Sequence, residues 1–251
     1  MALEYAKRMR IIIIAIVSAV VIALLAGVAF VIFYKVPTCT DRTQNQDEVG
    51  VDCGGSCSYL CVSQVTAPSV KFVRALTPQR GRVDVIAYIE NRNPRAGAKD
   101  APYTIELYGA DGAKVGTVRG VVPIAPRAIV PLFIPAAAQG SVVSTAFLTF
   151  GDIKWQTMEP VQDSVVVKDA QLADGTFPRI TALVENPAFS AAYNIEVVAT
   201  VFDANDTAIA ASRTVVPSIK ARSSIPVTFT WNSSFPQPAS YIEVKPVLSL
   251  P

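Results

Sequence analysis

The chain has 251 residues, with 22 Lys plus Arg against 20 Asp plus Glu, four cysteines and no histidine. Without histidine, Ser-His-Asp and Cys-His nucleophile arrangements and His-based catalytic zinc sites are excluded. From residue 36 onward the charge is nearly balanced, 18 basic against 19 acidic side chains, so no strongly basic domain favours nucleic acid.

Residues 1–10 form a basic tail carrying Lys7, Arg8 and Arg10, and Ile11–Tyr34 follows as 24 residues without a charge. At about 1.5 Å per residue such a helix is long enough to cross a hydrocarbon core about 30 Å thick. The excess of positive charge on its N-terminal flank predicts a cytoplasmic N-terminus. The apolar stretch is longer than that of a cleaved signal peptide and ends at Phe33, Tyr34, Lys35, Val36 and Pro37 rather than at small residues, so an uncleaved signal anchor is expected. Ala15, Ala19, Ala23 and Gly27 recur every four residues and form one small-residue stripe. Such a stripe lets a second helix approach closely, which nominates a copy of the chain or another membrane protein as partner besides the bilayer itself.

All four cysteines, Cys39, Cys53, Cys57 and Cys61, fall in the segment 36–64, directly outside the expected membrane span. An even, clustered count on the non-cytosolic side predicts two disulfides, with all three pairings open. The segment is poor in apolar residues, so cross-links must supply its order. A structural zinc site is the alternative, but the C-x3-C-x3-C spacing lacks the two-residue knuckles common in zinc ligation. Counting from Asp41 as the first position of a calcium loop places Thr43, Asn45, Asp47 and Asp52 at ligand positions 3, 5, 7 and 12, although Gln46 stands where the turn wants glycine. Calcium is the one cofactor this spacing suggests. The string from Cys39 to Cys61, with Asp41, Asn45, Glu48 and Val51–Gly55 in place, resembles a Cys-rich motif of surface proteins from uncultured small-genome bacteria. That resemblance implies surface exposure and no reaction.

From residue 65 the chain reads as short alternating strands bounded by Pro, Gly, Asn and Asp. Four blocks recur in order: Val83–Asn91 with Arg179–Asn186, Ile105–Gly112 with Ala199–Asp206, Val121–Pro123 with Val215–Pro217, and Val130–Leu132 with Ile225–Val227. The expectation is an all-β fold of two tandem small antiparallel β-sandwiches, 65–158 and 159–251. In the second, Ile195, Val197, Ala199 and Val201 are expected inward, with Glu196, Val198 and Thr200 facing outward; Ile225, Val227, Phe229 and Trp231 form a second inward row. Pro94, Pro102, Pro123, Pro126, Pro131 and Pro135 are expected at edges, turns or strand ends. Tyr108–Gly109 after Leu107, and Phe202–Asp203 after Val201, resemble the aromatic-Asp strand end of the FxLyD-type and late-embryogenesis-abundant-type β-sandwich family. The likeness departs at Gly109 and at Ile105 and Ala199, where the family has Phe. It implies an Ig-like, non-enzymatic extracytoplasmic module.

No phosphate loop, nucleophile elbow or HExxH string occurs, and no enzyme activity is expected. Residues 66–158 carry 11 basic against 6 acidic side chains, and residues 159–251 carry 6 against 9. Arg80, Arg82, Arg92, Arg95 and Lys99 form a candidate patch for an anionic envelope polymer or protein. The sequence thus points to a single-pass membrane protein with its bulk outside the cytoplasm, acting as an adhesion or scaffold module. The alternative is a subunit of a larger envelope assembly, such as a pilus or secretion complex, packed through its helix.

Overall fold

The computed structural model describes residues 2–33, 38–45, 47–79, 81–160, 165–247 and 250. A single α-helix, α1 (Ala2–Phe33), is followed by the cysteine segment with one 3₁₀ turn, Val62–Gln64. Thirteen strands then complete the described chain, all paired antiparallel. In the N-terminal half they are β1 (Ser69–Gln79), β2 (Arg82–Glu90), β3 (Ala96–Tyr108), β4 (Lys114–Ile124), β5 (Ile129–Gln139), β6 (Thr145–Phe150) and β7 (Gln156–Thr157). In the C-terminal half they are β8 (Val166–Ala173), β9 (Arg179–Asn186), β10 (Ala192–Phe202), β11 (Ala208–Ile219), β12 (Ser223–Thr230) and β13 (Tyr241–Val247). The sheet order β1-β2-β5 reappears as β8-β9-β12, and β4-β3-β6 reappears as β11-β10-β13.

Three apolar clusters lie between these four sheets. The first joins Val85, Ala87 and Ile89 of β2 to Ile105 and Leu107 of β3 and Val122 and Ile124 of β4. The second joins Ile180 and Val184 of β9 to Val197, Ala199 and Val201 of β10. The third lies between the halves and joins Leu76, Ile86, Tyr88 and Phe133 to Val198, Phe202, Ala208 and Ala211. Sheets β1-β2-β5 and β11-β10-β13 are therefore covered on both faces. This explains the unbroken burial from Val83 to Ile89, because a strand covered on both sides has no solvent face to mark with alternate polar residues.

One expectation is corrected here. Val198 and Thr200 do not face outward; both are fully buried, because the outer face of β1-β2-β5 covers them. The Tyr88 hydroxyl donates to Thr200 Oγ1 at 3.2 Å. Phe72 stacks on Tyr88 with ring centroids 4.8 Å apart, and Phe202 meets both edge-on while stacking on Tyr241 at 4.7 Å. The inward rows expected from Ile195, Val197, Ala199 and Val201 and from Ile225, Val227, Phe229 and Trp231 all belong to, or pack on, the second cluster.

The Glu-Asn ends of the first pair of blocks do the same work in both halves. Asn91 is 1% exposed; its Nδ2 donates to the carbonyls of Ala96 and Ala125, and its Oδ1 accepts from the Asn93 amide. Asn186, also 1% exposed, donates to the carbonyls of Ser190, Ile219 and Lys220 and accepts from the Ala188 amide. Each Asn thus clips the end of a central strand to the loops beside it, and satisfies backbone groups that water cannot reach.

Prolines collect on strands with a free edge: Pro78 in β1, Pro123 in β4, Pro131 and Pro135 in β5, Pro217 in β11, Pro226 in β12 and Pro246 in β13. The central strands β2, β9 and β10 have none. Pro102 lies on central β3, but just before Tyr103, where pairing with β6 begins. Pro94 and Pro126 lie outside the strands.

Truncating Phe202 to Ala empties the middle of the junction and is expected to cost about 3–5 kcal/mol in urea unfolding. Burial pushes the Tyr88 phenol well above its ordinary value, outweighing the opposing effect of its hydrogen bond to Thr200. Above about pH 10 the unfolded chain loses that proton while the folded chain keeps it, so stability falls as pH rises. The urea midpoint is expected to drop between pH 9 and pH 11, with a shallower drop in Tyr88→Phe.

Candidate functional site

The cysteine segment is folded onto the N-terminal half. Its two disulfides are Cys39–Cys57 and Cys53–Cys61. The Leu60 amide donates to the Trp155 carbonyl at 2.8 Å, and Tyr59 forms a bridge with Gln156. Thr66 and Asn93 exchange two bonds, Thr66 N to Asn93 Oδ1 at 2.8 Å and Asn93 Nδ2 to Thr66 O at 2.7 Å. Leu60 and Val65 pack on the first core. Gly54 and Gly55 both have positive φ, 76° and 57°, and a Cβ on Gly55 would run into the Asp47 carbonyl. Only glycine fits that tight turn.

The carboxylates of this collar hold its own turns. Both Asp52 oxygens accept from the Arg42 amide, at 3.1 and 3.0 Å. Asp41 accepts from the Thr43 amide and from Asn45 Nδ2, each at 2.9 Å, and Asp47 accepts from the Ser56 hydroxyl at 2.9 Å. Glu48, 8% exposed, accepts from the amides of Asn45 and Asp52. Of the four candidate calcium ligands, Asp41, Asp47 and Asp52 accept from different donors and Asn45 is itself a donor to Asp41, while Gln46 lies outside the described residues. Among the described residues, one group of three potential metal ligands converges within 4.8 Å, namely Cys39, Glu48 and Cys57. Its two sulfurs are joined in a disulfide and offer no thiolate.

The stripe Ala15, Ala19, Ala23 and Gly27 is exposed along α1, and nothing lies within 4 Å of where a Gly27 side chain would point. The basic patch is largely neutralised. Arg82 makes a two-pronged bond to Asp84 at 2.8 and 3.2 Å, Arg92 pairs with Glu90 at 3.0 Å, and Arg95 pairs with Glu159. Lys99 is exposed beside Asp100, and Arg80 lies outside the described residues.

Arg82 has a further neighbourhood that its sequence position does not reveal. Asp84, only 3% exposed, also accepts from the Ala136 amide at 2.7 Å. Ala136 has φ 52° and sits in the β5 bulge, where the register slips between Val83 and Val85. Asp84 therefore pins a strained turn, and Arg82 offsets its buried charge. The bulge borders a cleft between the halves of about 300 Å³, lined by Arg82, Phe133, Pro135, Arg213, Trp231 and Asn232 among others. A second cleft of about 380 Å³ adjoins it through Phe133, Pro135 and Arg213, and adds Tyr103, Pro123, Pro131 and Glu196. Together they form a groove along β5. Tyr103 reaches it by lying across its cross-strand neighbour Gly120, where any Cβ would strike the phenol, and burial raises its hydroxyl above the ordinary phenolic value.

No family model matches the chain, and no curated protein matches it. Among solved structures it shows a likeness to a β-glucuronidase of glycoside hydrolase family 2, at 14% identity and a TM-score of 0.22. The likeness covers 62% of this chain and 21% of that one.

Replacing Cys53 and Cys61 together with Ser is expected to cost about 2–4 kcal/mol. Hydrogen exchange at the Leu60 and Thr66 amides should accelerate, while amides of β9 keep their protection.

Proposed function

We propose that this chain is a membrane-anchored binding or scaffold module of the cell envelope, without enzymatic activity. One observation carries the reading: the helical span from Lys7 to Val31 contains an 18-residue stretch of mean hydropathy 3.2, none of which is buried against the rest of the protein, and a disulfide-bonded collar docked on β structure follows it in sequence. An apolar surface of that size is stable in lipid and not in water. Disulfides persist on the oxidising side of the membrane. Lys7, Arg8 and Arg10 favour a cytoplasmic N-terminus, which together with the disulfides supports a β-rich bulk on the opposite side of the membrane.

In this reading the two halves are tandem β-sandwiches of the FxLyD or late-embryogenesis-abundant type, a proposal supported by their shared strand order and by the matching Asn91 and Asn186 clips. The turns that follow the resembling strand ends also match: Gly109 N to Ala113 O at 2.9 Å and Asp203 N to Thr207 O at 3.0 Å. Where the first half has Gly109 instead of Asp, Asp111 takes over the capping through the Ala113 amide. A role inside a larger envelope assembly is the second reading, favoured by the exposed stripe on α1.

Fusing alkaline phosphatase or green fluorescent protein after Pro251 in a bacterial host tests the topology. Active phosphatase and a dark fluorescent fusion are expected; the reverse pattern places the bulk in the cytoplasm and removes the reading.

A further inference from the structure

In the four sheets, eight strands have one edge unpaired: β1, β5, β4, β6, β8, β12, β11 and β13. Such an edge offers a row of backbone N–H and C=O groups to any strand that approaches, and natural sheets blunt it with proline, charge or a bulge. Six of the eight contain proline, and β6 and β8 do not. In β8 Lys168 and Asp169 stand within the strand, its register slips between Lys168 and Gln171, and Asp169 has φ 51°. Among the described strands, β6 (Thr145–Phe150) is left with no proline, no charge and an unbroken register against β3. The same side of β3 already accepts an added segment. After β6, β7 resumes pairing with β3 at Ala96 and Gly97 in the register that β6 leaves. There the collar lies against it antiparallel, with Tyr59 bridging Gln156 and the Leu60 amide donating to the Trp155 carbonyl. The collar thus covers one stretch of this sheet edge and leaves the adjoining β6 open.

The outward row of β6 is Thr145, Phe147 and Thr149, all exposed, with Ala146 and Leu148 buried between them. That row reads the same in both directions about Phe147. A second copy laid antiparallel, with a two-fold axis at Phe147, sets the two Phe147 side chains opposite each other and each Thr145 opposite the other copy's Thr149. Each Ala146 then lies beside a Leu148, small against large. Aromatic pairs and threonine pairs directly opposite are favourable cross-strand combinations, and no like charges meet. Tyr108 already meets Phe147 edge-on, with ring centroids 5.8 Å apart, so the pairing extends this contact into a row of four rings. An uncharged strand gives a foreign partner no ion pair to read, whereas a copy of itself matches it at every outward position.

We propose that β6 is a self-association edge, which joins two copies of the chain by antiparallel β6–β6 pairing about Phe147. The contact is isologous, so it closes at two copies instead of propagating, and its short length makes it weak and reversible. It goes beyond the membrane reading and does not rest on it, since the pairing is the same whichever side of a bilayer the strands occupy.

All four native cysteines are held in disulfides, so introduced thiols report alone. Full-length Thr145→Cys and Thr149→Cys proteins, in detergent micelles at about 0.1 mM, are oxidised mildly, each alone and as an equimolar mixture. Opposed residues of an antiparallel pair lie about 4.5–5.5 Å apart between Cα atoms, within disulfide reach, whereas like positions would be roughly 14 Å apart. The mixture is therefore expected to give at least about tenfold more covalent dimer than either variant alone. Phe147→Lys in both proteins sets two cations opposite each other and should cut the yield by a similar factor; Phe147→Lys in one and Phe147→Glu in the other should restore it. Val121→Cys, as exposed as Phe147 but on proline-bearing β4, should give only the background of the single variants. The proposal is overturned if the mixture yields no more dimer than the single variants, which is the result expected of an edge reserved for a strand of another protein. It is also overturned if Val121→Cys matches the mixture, if Phe147→Lys leaves the yield unchanged, or if the Lys and Glu pair fails to restore it.

Discussion

Burial of the outer face of β1-β2-β5 against the outer face of β11-β10-β13 is the constraint on which the remaining geometry depends. Each half has its own apolar core, and either could in principle keep a polar outer surface. Instead Ile86, Tyr88 and Phe133 on one side and Val198, Phe202 and Ala211 on the other remove both surfaces from water. At about 25 cal/mol per Å² of apolar area, side chains of this size outweigh the entropy lost by holding two β units rigidly together. At the junction the Tyr88 hydroxyl donates to Thr200 Oγ1. It fixes registration at little net cost, because an unpaired hydroxyl there would be penalised far more than the pair is rewarded.

The groove follows from that packing. Twisted sheets that meet face to face diverge at their margins, and along β5 the margin is left open, walled by strand edges rather than filled by loops. The buried Asp84 keeps the β5 bulge in place by holding the Ala136 amide, and so shapes the rim. Anchor, collar, cores and groove thus form a sequence of dependence. The collar is ordered by its disulfides and by Trp155 and Asn93 of the first half; the first half holds the second through the shared face; and the shared face leaves the groove.

Much of the strand pattern was legible because each central strand carries apolar residues at the right spacing and turn residues at its ends. The failure at Val198 and Thr200 has a definite cause. Alternation assigns the polar member of a strand to solvent, and a threonine looks polar whether it meets water or another hydroxyl. The same limit hid the junction, since Val83 to Ile89 reads as one strand regardless of how many sheets cover it. The Glu-Asn block ends were visible as a repeated string, while the role of Asn91 and Asn186 as clips required knowing which carbonyls end beside them. The four cysteines announced disulfides, but pairing depends on the path of the chain around Gly54 and Gly55. The basic cluster was read from proximity in sequence, and Asp84, Glu90 and Glu159 neutralise it through contacts that linear spacing does not display. Arg213, more than a hundred residues from Arg82, gave no linear sign of sharing a cleft with it.

The prolines on the free-edged strands acquire another meaning if the chain is held in a membrane. Confinement to a surface replaces dilution in three dimensions with a crowded two-dimensional layer, where neighbouring copies meet side by side at high effective concentration. Open β edges under those conditions would zip together into continuous sheets. A proline at β1, β4, β5, β11, β12 and β13 interrupts six of these eight edge ladders by withholding a donor, while β6 and β8 carry none. The molecule can then be packed densely on a surface without merging into an unending sheet, each copy free to turn its groove toward whatever passes.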